Sequence, residues 1–458
     1  MDKKNIIIIG DVMIDINYLS ETKRNAPEAD IPIYNILDVN YILGGAANVA
    51  LNLKNLGANI ELIGLIGDDT NSKKITDLLD ENRVTNKLFI DKERKTTQKN
   101  RLFLNNQLTT RFDIEDTNDI SNDIENQIID YIMNKKDVDA IIISDYDKGI
   151  ITEYLSQTII NYANNNNIPT FVDPKLKNFL KYKNCFLFKP NINEAEKISN
   201  ETNINKIIET VKEKISCQNL LITIGKEGMI LNSVLNSIKH DSIINLVDVT
   251  GAGDIVISVL VYVFLKDGDL FKACKIANYI AGKSVGCIGN YCINKNDIDE
   301  YNQIINHNNK IIYDYEIEQL MSLSKNKNMV FTNGCFDILH SAHIELLKFA
   351  KSKGNILIVG LNSDESIKRL KGSERPINDI NERAKILSLF DFIDHIVIFS
   401  DDTPYKILAL LKPKILVKGG DYKVDEIIGK EHVDEVILFN YIQNKSSTNV
   451  IKKIKNLL

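Results

Sequence analysis

Two short stretches of this 458-residue chain carry residue types suited to phosphate chemistry. In DVTGAGD, residues 248 to 254, Gly251 and Gly253 let the backbone turn its N–H groups toward one point. The apolar helical stretch that follows, Ile255 to Leu265, adds the positive end of its dipole. With Ala252 between them, these glycines make a cradle for a phosphate or an oxyanion. Asp254 then stands in the first helical turn, where a carboxylate repels phosphate unless it has a task. The task that fits is accepting a proton from a hydroxyl attacking a γ-phosphate. A Gly-rich turn that caps a helix is the plainer alternative for the same residues. In TNGCFDILHSAH, residues 332 to 343, a Gly-Cys-Phe-Asp turn follows the apolar run Met329 to Phe331, and His340 and His343 stand three positions apart. Metal ligation would need a third Cys, His or carboxylate at a matching spacing, and the sequence offers none. Two packed histidines are the structural alternative.

Cations gather elsewhere. KTTQKNRLF and TTRFDIE supply Lys99, Arg101 and Arg111 on what read as paired strands, with Lys175 further along the chain. Such a cluster on half-buried strands suits a substrate that already carries a phosphate, and solvated strand edges explain it equally well. The segment ANYIAGKS, residues 277 to 284, misses the phosphate-loop pattern GxxxxGK[ST] only at Ala277. It lies inside a helical period from Leu270 to Val285 with no strand before it, so it is expected to pack as helix near the nucleotide. No GxGxxG follows a strand, which removes the dinucleotide fingerprint.

The elements that must position these residues alternate. Short β-branched runs (Asn5 to Ile9, Ile60 to Leu65, Ala140 to Ser144, Thr170 to Val172, Leu220 to Ile224) are interleaved with helical periods such as Ala46 to Leu56 and Tyr154 to Asn164. That alternation predicts an α/β fold with a mostly parallel sheet covered by helices. The pattern breaks into polar sequence after Asn302 and restarts at Met329. We therefore expect a first domain over 1–310, a linker over 311–327 and a smaller α/β domain over 328–458. The net charge of -6 is spread without a basic block, which argues against a nucleic-acid partner. No apolar run approaches the roughly 20 residues needed to span a bilayer, so no membrane partner is expected. Six cysteines without a CxxC pair point to free thiols in a reducing compartment, and hence to a cytoplasmic protein.

Six motifs in order, GDVMID (10 to 15), GGAANVA (44 to 50), SDYDKG (144 to 149), DPK (173 to 175), KPNINEAE (189 to 196) and DVTGAGD, resemble the ribokinase-like sugar kinases. The resemblance implies that Asp15, Gly44, Gly45 and Asn48 hold sugar hydroxyls, with Lys99, Arg101, Arg111 and Lys175 at the sugar end. It implies that Asn191, Ile192, Asn193 and Glu194 lie at the ATP phosphates, and that magnesium arrives on those phosphates with Asn191 and Glu194 nearby rather than in a tight protein cage. Thr223, Gly225, Gly228 and Asn278 would border the nucleotide, Gly251 to Gly253 would form the anion hole and Asp254 would be the base. TNGCFDILHSAH, LNSDESIKRLKGSERP, VKGGDY and SSTNVIKKI, in order, resemble the nucleotidyltransferases with an H-x-G-H turn and a Rossmann-like domain. There His340 and His343 would donate to the α-phosphate of ATP. Gly334, Phe336, Asp337, Lys371, Arg375, Lys418, Ser447 and Thr448 would serve the nucleotide and its phosphates.

Both halves in this order resemble the bifunctional heptose kinase and heptose adenylyltransferase enzymes. The family's activity would be phosphorylation of D-glycero-β-D-manno-heptose 7-phosphate at O1. Transfer of AMP from ATP to heptose 1-phosphate would follow, giving ADP-heptose and pyrophosphate for the lipopolysaccharide core. The partners implied are phosphorylated sugars, ATP and a second copy of the chain joined through the kinase domain. The alternatives are the same two reactions on another phosphorylated sugar, or one domain serving as a binding or regulatory module. Three positions depart from the pattern: Ile255 replaces a hydroxyl residue after the base, and Ala342 replaces the glycine between the histidines, where its added methyl is expected to face the path of ATP. Asn290 stands where a small hydroxyl residue is expected, which weakens the case for a monovalent cation.

Overall fold

The computed structural model describes residues 3–105, 107–238, 249–286, 291–308, 310–313, 317, 328–420 and 423–439. The chain forms two compact units, Met1–Asp299 and Glu300–Leu458. Among the described residues no helix is long and apolar enough to cross a membrane.

Among the described residues the first unit contains thirteen strands: β1 Asn5–Gly10, β2 Val12–Asn25, β3 Pro32–Gly45, β4 Asn59–Ile66, β5 Asn86–Ile90, β6 Thr97–Leu104, β7 Gln107–Ile114, β8 Ala140–Ser144, β9 Thr170–Asp173, β10 Leu187–Phe188, β11 Asn219–Thr223, β12 Met229–Leu231 and β13 Ser237–Ile238. Nine of them make one sheet in the order β13-β12-β11-β10-β9-β8-β1-β4-β5. It is parallel from β5 through β11 and antiparallel at β12 and β13. The isoleucine runs of β1 and β8 are buried on both faces, as central parallel strands covered by helices require. Because β1 has β4 on one side and β8 on the other, the chain reverses its winding between β1 and β8. The carboxyl ends of those two strands therefore open a crevice, the usual place for a ligand in such sheets.

A separate four-stranded sheet, β3-β2-β6-β7, starts one residue after β1. Its register sets Asp15 opposite Lys99 and Lys99 opposite Asp113, and it sets Asn17 opposite Arg101 and Arg101 opposite Arg111. Alternation along strands then puts all of these side chains on one face. The near-phosphate-loop segment lies within the helix Leu270–Ser284, as its period predicts.

Among its described residues the second unit carries six parallel strands, β14 Ile311–Tyr313, β15 Met329–Gly334, β16 Ile356–Asn362, β17 His395–Phe399, β18 Ile415–Gly419 and β19 Glu435–Phe439. Their order is β14-β17-β16-β15-β18-β19, so the winding reverses between β15 and β18. Two apolar clusters cover the two faces of this sheet. The expected linker over 311–327 is corrected at its start. Ile311 to Tyr313 pair with Ile396 to Ile398 in register, and Ile317 is buried, so the second unit claims residues that composition had marked as connection. The physical reason is edge protection, because without β14 the N–H and C=O groups of β17 would face solvent unpaired.

Candidate active sites

In the first unit the helix Ala252–Asp267 begins at Gly251, whose φ of 76° frees the chain to turn its first N–H groups outward. A Cβ on Gly253 would lie 3.8 Å from Lys189 Nζ, so a buried ammonium stands at the mouth of the cradle. Lys189 pairs with Asp173 at 2.9 Å. Asp254 is buried with both carboxylate oxygens engaged. Asn48 Nδ2 donates to Oδ2 at 2.7 Å, and the Tyr146 hydroxyl donates to Oδ1 at 2.6 Å. Burial pushes the Asp254 carboxyl up to about 6, against the pull of those two hydrogen bonds.

Asn48 reaches Asp254 because its helix, Ala46–Asn55, starts directly after Gly45. That glycine has φ 60°, and a Cβ there would meet the Asp11 carbonyl at 2.3 Å. Gly44 is confined in a similar way, since its Cβ would touch the Met13 side chain at 2.9 Å and the Asp15 carboxyl at 3.4 Å. Arg101 Nη1 sits 3.2 Å from Asp15 Oδ1. Lys99 and Lys175 both lie over the Tyr146 ring, at 5.0 and 5.5 Å from its centroid. Burial lowers the Lys99 ammonium, as expected for a cation drawn from water. Arg111 differs, because Asp113 binds it bidentately at 2.9 and 2.6 Å on the exposed strand β7, where the solvated-edge alternative fits.

Where the nucleotide is expected, Asn191 and Glu194 form a capping box on the helix Ile192–Ser199, each side chain accepting the other's backbone N–H at 2.9 Å. Glu194 also takes Lys175 at 3.1 Å. Asn191 and Asn193 are exposed, and Asn191 bridges to Thr223 at the end of β11. Gly225 and Gly228, with φ 53° and 94°, turn the chain beside it. Asn278 is buried within the helix Leu270–Ser284, and Ile255 is buried in the helix of the base. Among the described residues no group of three His, Cys, Asp or Glu could cage a metal ion.

Sequence reasoning missed three members of this site. Lys189, Asp173 and Tyr146 all lie in motifs quoted for the resemblance, at or just past strand ends, yet nothing local marks their roles. Asp11 explains how Tyr146 is held. Its carboxylate accepts the backbone N–H of Tyr146 at 2.6 Å and of Lys148 at 3.2 Å, across the crevice between β1 and β8.

In the second unit the crevice lies at the carboxyl ends of β15 and β18. Lys418 Nζ crosses it to donate to Asn333 Oδ1 at 2.6 Å, and burial pulls its ammonium down to about 8. Phe336 takes a left-handed φ of 44°, which folds its ring over Gly334, where a Cβ would come within 3.1 Å. The same ring meets His343 edge-on at 5.3 Å, and His343 stacks on His340 with centroids 3.8 Å apart. His340 immediately precedes the helix Ser341–Lys351, so both imidazoles sit at its positive end. Burial, then His340 and Lys371, push His343 down to about 4. His343 Nδ1 is buried and finds no hydrogen-bond partner among the described residues.

Asp337 and Arg375 are brought together, but on each other. Arg375 Nε donates to Asp337 at 2.6 Å, and Asp337 also takes the N–H groups of Ile377 and Asn378, so the pair latches the loop after the helix Asp364–Lys371 to the turn after β15. Arg383, which sequence reasoning did not single out, is fully buried. It ties the carbonyls of Cys335 and Asn362 to the Asp364 carboxylate, at 2.8, 2.9 and 2.6 Å. Ala342 is 1% exposed and shares the inner face of its helix with Leu346 and Ala350. The expectation that its methyl meets ATP is corrected, because protein already covers that side chain. Ser447 and Thr448, and the departure at Asn290, lie outside the described residues.

Residues 3–296 match the family model for pfkB family carbohydrate kinases, and residues 331–454 match the cytidylyltransferase-like model. The bifunctional protein HldE of Aliarcobacter butzleri is 39% identical over 465 residues, covering 99% of this chain and 98% of that protein. The one from Campylobacter jejuni subsp. doylei is 41% identical over 461 residues, with coverage of 99% and 98%. Among solved structures, phosphofructokinase-2 from Escherichia coli in complex with potassium superposes with a TM-score of 0.54 at 16% identity, covering 66% of this chain and 98% of that one. Arabidopsis thaliana ribokinase complexed with ribose and ATP gives 0.51 at 13% identity, covering 65% and 98%.

Proposed function

Since the chain belongs to the bifunctional HldE family, and through its first unit to the pfkB carbohydrate kinases, we propose that its two crevices catalyse successive steps on one heptose phosphate. The first unit is a sugar kinase and the second a nucleotidyltransferase. In our reading the kinase takes D-glycero-β-D-manno-heptose 7-phosphate. Lys99, Arg101 and Lys175 receive its phosphate, and Asp15 and Asn48 receive ring hydroxyls. Asp254 takes the proton of the anomeric hydroxyl as that oxygen bonds to the γ-phosphorus and ADP departs. The N–H groups at Gly251 to Gly253, with Lys189 beside them, hold the charge on the moving phosphoryl group.

Magnesium would supply charge neutralisation on the ATP phosphates. Glu194 has both oxygens engaged by Asn191 and Lys175, which fits a metal that keeps its waters and meets the protein at second hand. In the second unit a phosphate oxygen of heptose 1-phosphate attacks the α-phosphorus of ATP and pyrophosphate leaves. His340 and His343 donate to the charge that develops there, and Lys418 and Lys371 neutralise phosphates. ADP-heptose for the lipopolysaccharide core is the product we assign, made in the cytoplasm where ATP is at hand.

The observation that carries this reading is the buried Asp254, held by Asn48 and Tyr146 in a crevice where Lys99, Lys175 and Lys189 converge. We also propose a homodimer through the kinase unit. Leu37 and Tyr41 on β3, with Leu108 and Phe112 on β7, leave large apolar side chains exposed on the four-stranded sheet, a surface that a second copy would cover. Incubation with ATP, magnesium and a panel of sugar 7-phosphates and 1-phosphates, followed by mass spectrometry, tests the substrate assignment. Heptose 1,7-bisphosphate and ADP-heptose are the expected products, and preferred turnover of another sugar phosphate would overturn it.

A further inference from the structure

The proposed mechanism leaves Tyr146 without a task, although it touches both the base and two of the lysines of the kinase crevice. Its hydroxyl donates to Asp254 Oδ1 at 2.6 Å. Its ring carries the ammonium groups of Lys99 at 5.0 Å and Lys175 at 5.5 Å. Its backbone N–H is fixed by the buried carboxylate of Asp11 at 2.6 Å. The side chain is thus held at its root and engaged at both its ring and its tip.

We propose that Tyr146 is a positioning residue that sets the base and the phosphate-binding lysines in one fixed geometry, so that a sugar phosphate seated on Lys99 and Lys175 presents its hydroxyl to Asp254. This rests on the kinase reading above. A buried carboxylate has several rotamers open to it, and Asn48 alone fixes one oxygen. The tyrosine hydroxyl fixes the second, which leaves the remaining lone pairs pointing into the crevice for the substrate's proton. The hydroxyl also favours the ionised carboxylate, the form a base needs, while burial opposes it. The ring does separate work. Two ammonium groups repel each other, but each is attracted to the π-electrons of the one ring that both contact, so the ring anchors a pair of cations that water would leave apart. Lys175 is further steadied by Glu194 at 3.1 Å, and Lys99 faces Asp15 across the β2–β6 register.

The two contributions separate by substitution. Tyr146→Phe removes the hydroxyl and keeps the ring, whereas Tyr146→Leu removes both. For Tyr146→Phe we expect kinase kcat to fall about tenfold or more with KM for the sugar phosphate within about twofold. The acid limb of kcat/KM should move up by about one pH unit, the size of one hydrogen bond to a charged group. The sign follows from the donor's loss: the carboxylate becomes easier to protonate, so activity is lost at a higher pH as pH falls. For Tyr146→Leu the same limb shift should appear together with a KM raised about tenfold. Adenylyl transfer by the same samples and their melting temperatures report folding.

A readout without turnover keeps this proposal apart from the substrate assignment. In a chain labelled with 13Cγ-aspartate, with Asp254→Asn identifying the resonance, the carboxyl titration should move upward in Tyr146→Phe whatever the sugar is. An unmoved titration overturns the role of the hydroxyl. Identical KM values in the Phe and Leu variants overturn the role of the ring. If the parent ignores heptose 7-phosphate but the titration moves, the substrate reading fails and the positioning role stands.

Discussion

The two crevices solve the same electrostatic problem with opposite signs. In the first unit burial raises Asp254 to about 6; in the second it lowers His343 to about 4 and Lys418 to about 8. Desolvation favours whichever form is neutral, so the residue type decides what burial produces. A buried carboxylate becomes a base with real proton affinity near neutral pH, suited to a hydroxyl that must lose its proton. A buried imidazole becomes a neutral N–H donor, suited to a phosphate nucleophile that has no proton to give up. One chemistry needs a proton acceptor and the other needs donors, and each crevice has what its attacking group lacks.

The sharpest way to break this comparison is to remove each group and read both reactions. Asp254→Asn should cut phosphorylation by about 100-fold or more while adenylyl transfer stays at its parent rate, since an amide takes no proton. His343→Ala should do the reverse, with adenylyl transfer down about 100-fold through loss of a transition-state donor. Steady-state assays of each half-reaction with its own sugar substrate decide the matter. A near-normal kinase rate in Asp254→Asn would remove it from the role of base.

The pH profiles should differ just as plainly. As the proposed base, Asp254 must be ionised to act, so kinase kcat/KM should be flat above about 6 and fall as pH drops through that value. His343 is neutral down to about 4, so its substitution should leave the acid side of the adenylyl-transfer profile between pH 5 and neutrality, where the sugar phosphate itself takes up a proton, unchanged in shape. Lys418 loses its charge as pH rises through about 8, and kcat/KM for ATP in adenylyl transfer should decline there. Lys418→Ala should remove that alkaline limb and raise the KM for ATP by about tenfold. An alkaline limb that survives the substitution would assign it to another group.

The parts of these sites that were legible in the sequence are those fixed by local geometry. The glycine turn at Gly251 to Gly253, the helix with Asp254 in its first turn and the neighbouring pair His340 and His343 each follow from residues within one turn of one another. The strand and helix alternation was legible for the same reason, since isoleucine runs and 3.6-residue periods are local signals. What stayed hidden depends on partners far away in the chain. Tyr146 meets Asp254 from 108 positions away, and Arg375 is claimed by Asp337 from 38. Which cations remain for substrate is likewise a matter of who holds them: Lys99 lies over a ring, whereas Arg111 is spent on Asp113. The strand Ile311–Tyr313 was masked by its setting in polar sequence, and only the need to cover β17 gives it a place.

The smallest expected effect concerns the residue that most clearly departs from its family's turn. With glycine in the pattern, Ala342 suggests a methyl pressed against ATP, and restoring glycine would then lower the KM for ATP. The packing gives a different expectation. Ala342 is 1% exposed on the face it shares with Leu346 and Ala350, so its methyl contributes to the helix interior and presents nothing to a ligand. Ala342→Gly should therefore leave the KM for ATP unchanged and cost about 1 to 2 kcal/mol in stability, the sum of a lost buried methyl and a glycine's backbone entropy in a helix. Denaturant unfolding beside ATP-dependent adenylyl transfer measures both quantities on one sample. A lower KM with unchanged stability would mean that ATP reaches this turn after all, and that the second crevice opens there when nucleotide binds. The two units would then differ further, the first built around a base held from two sides and the second around a helix end that must part to be used.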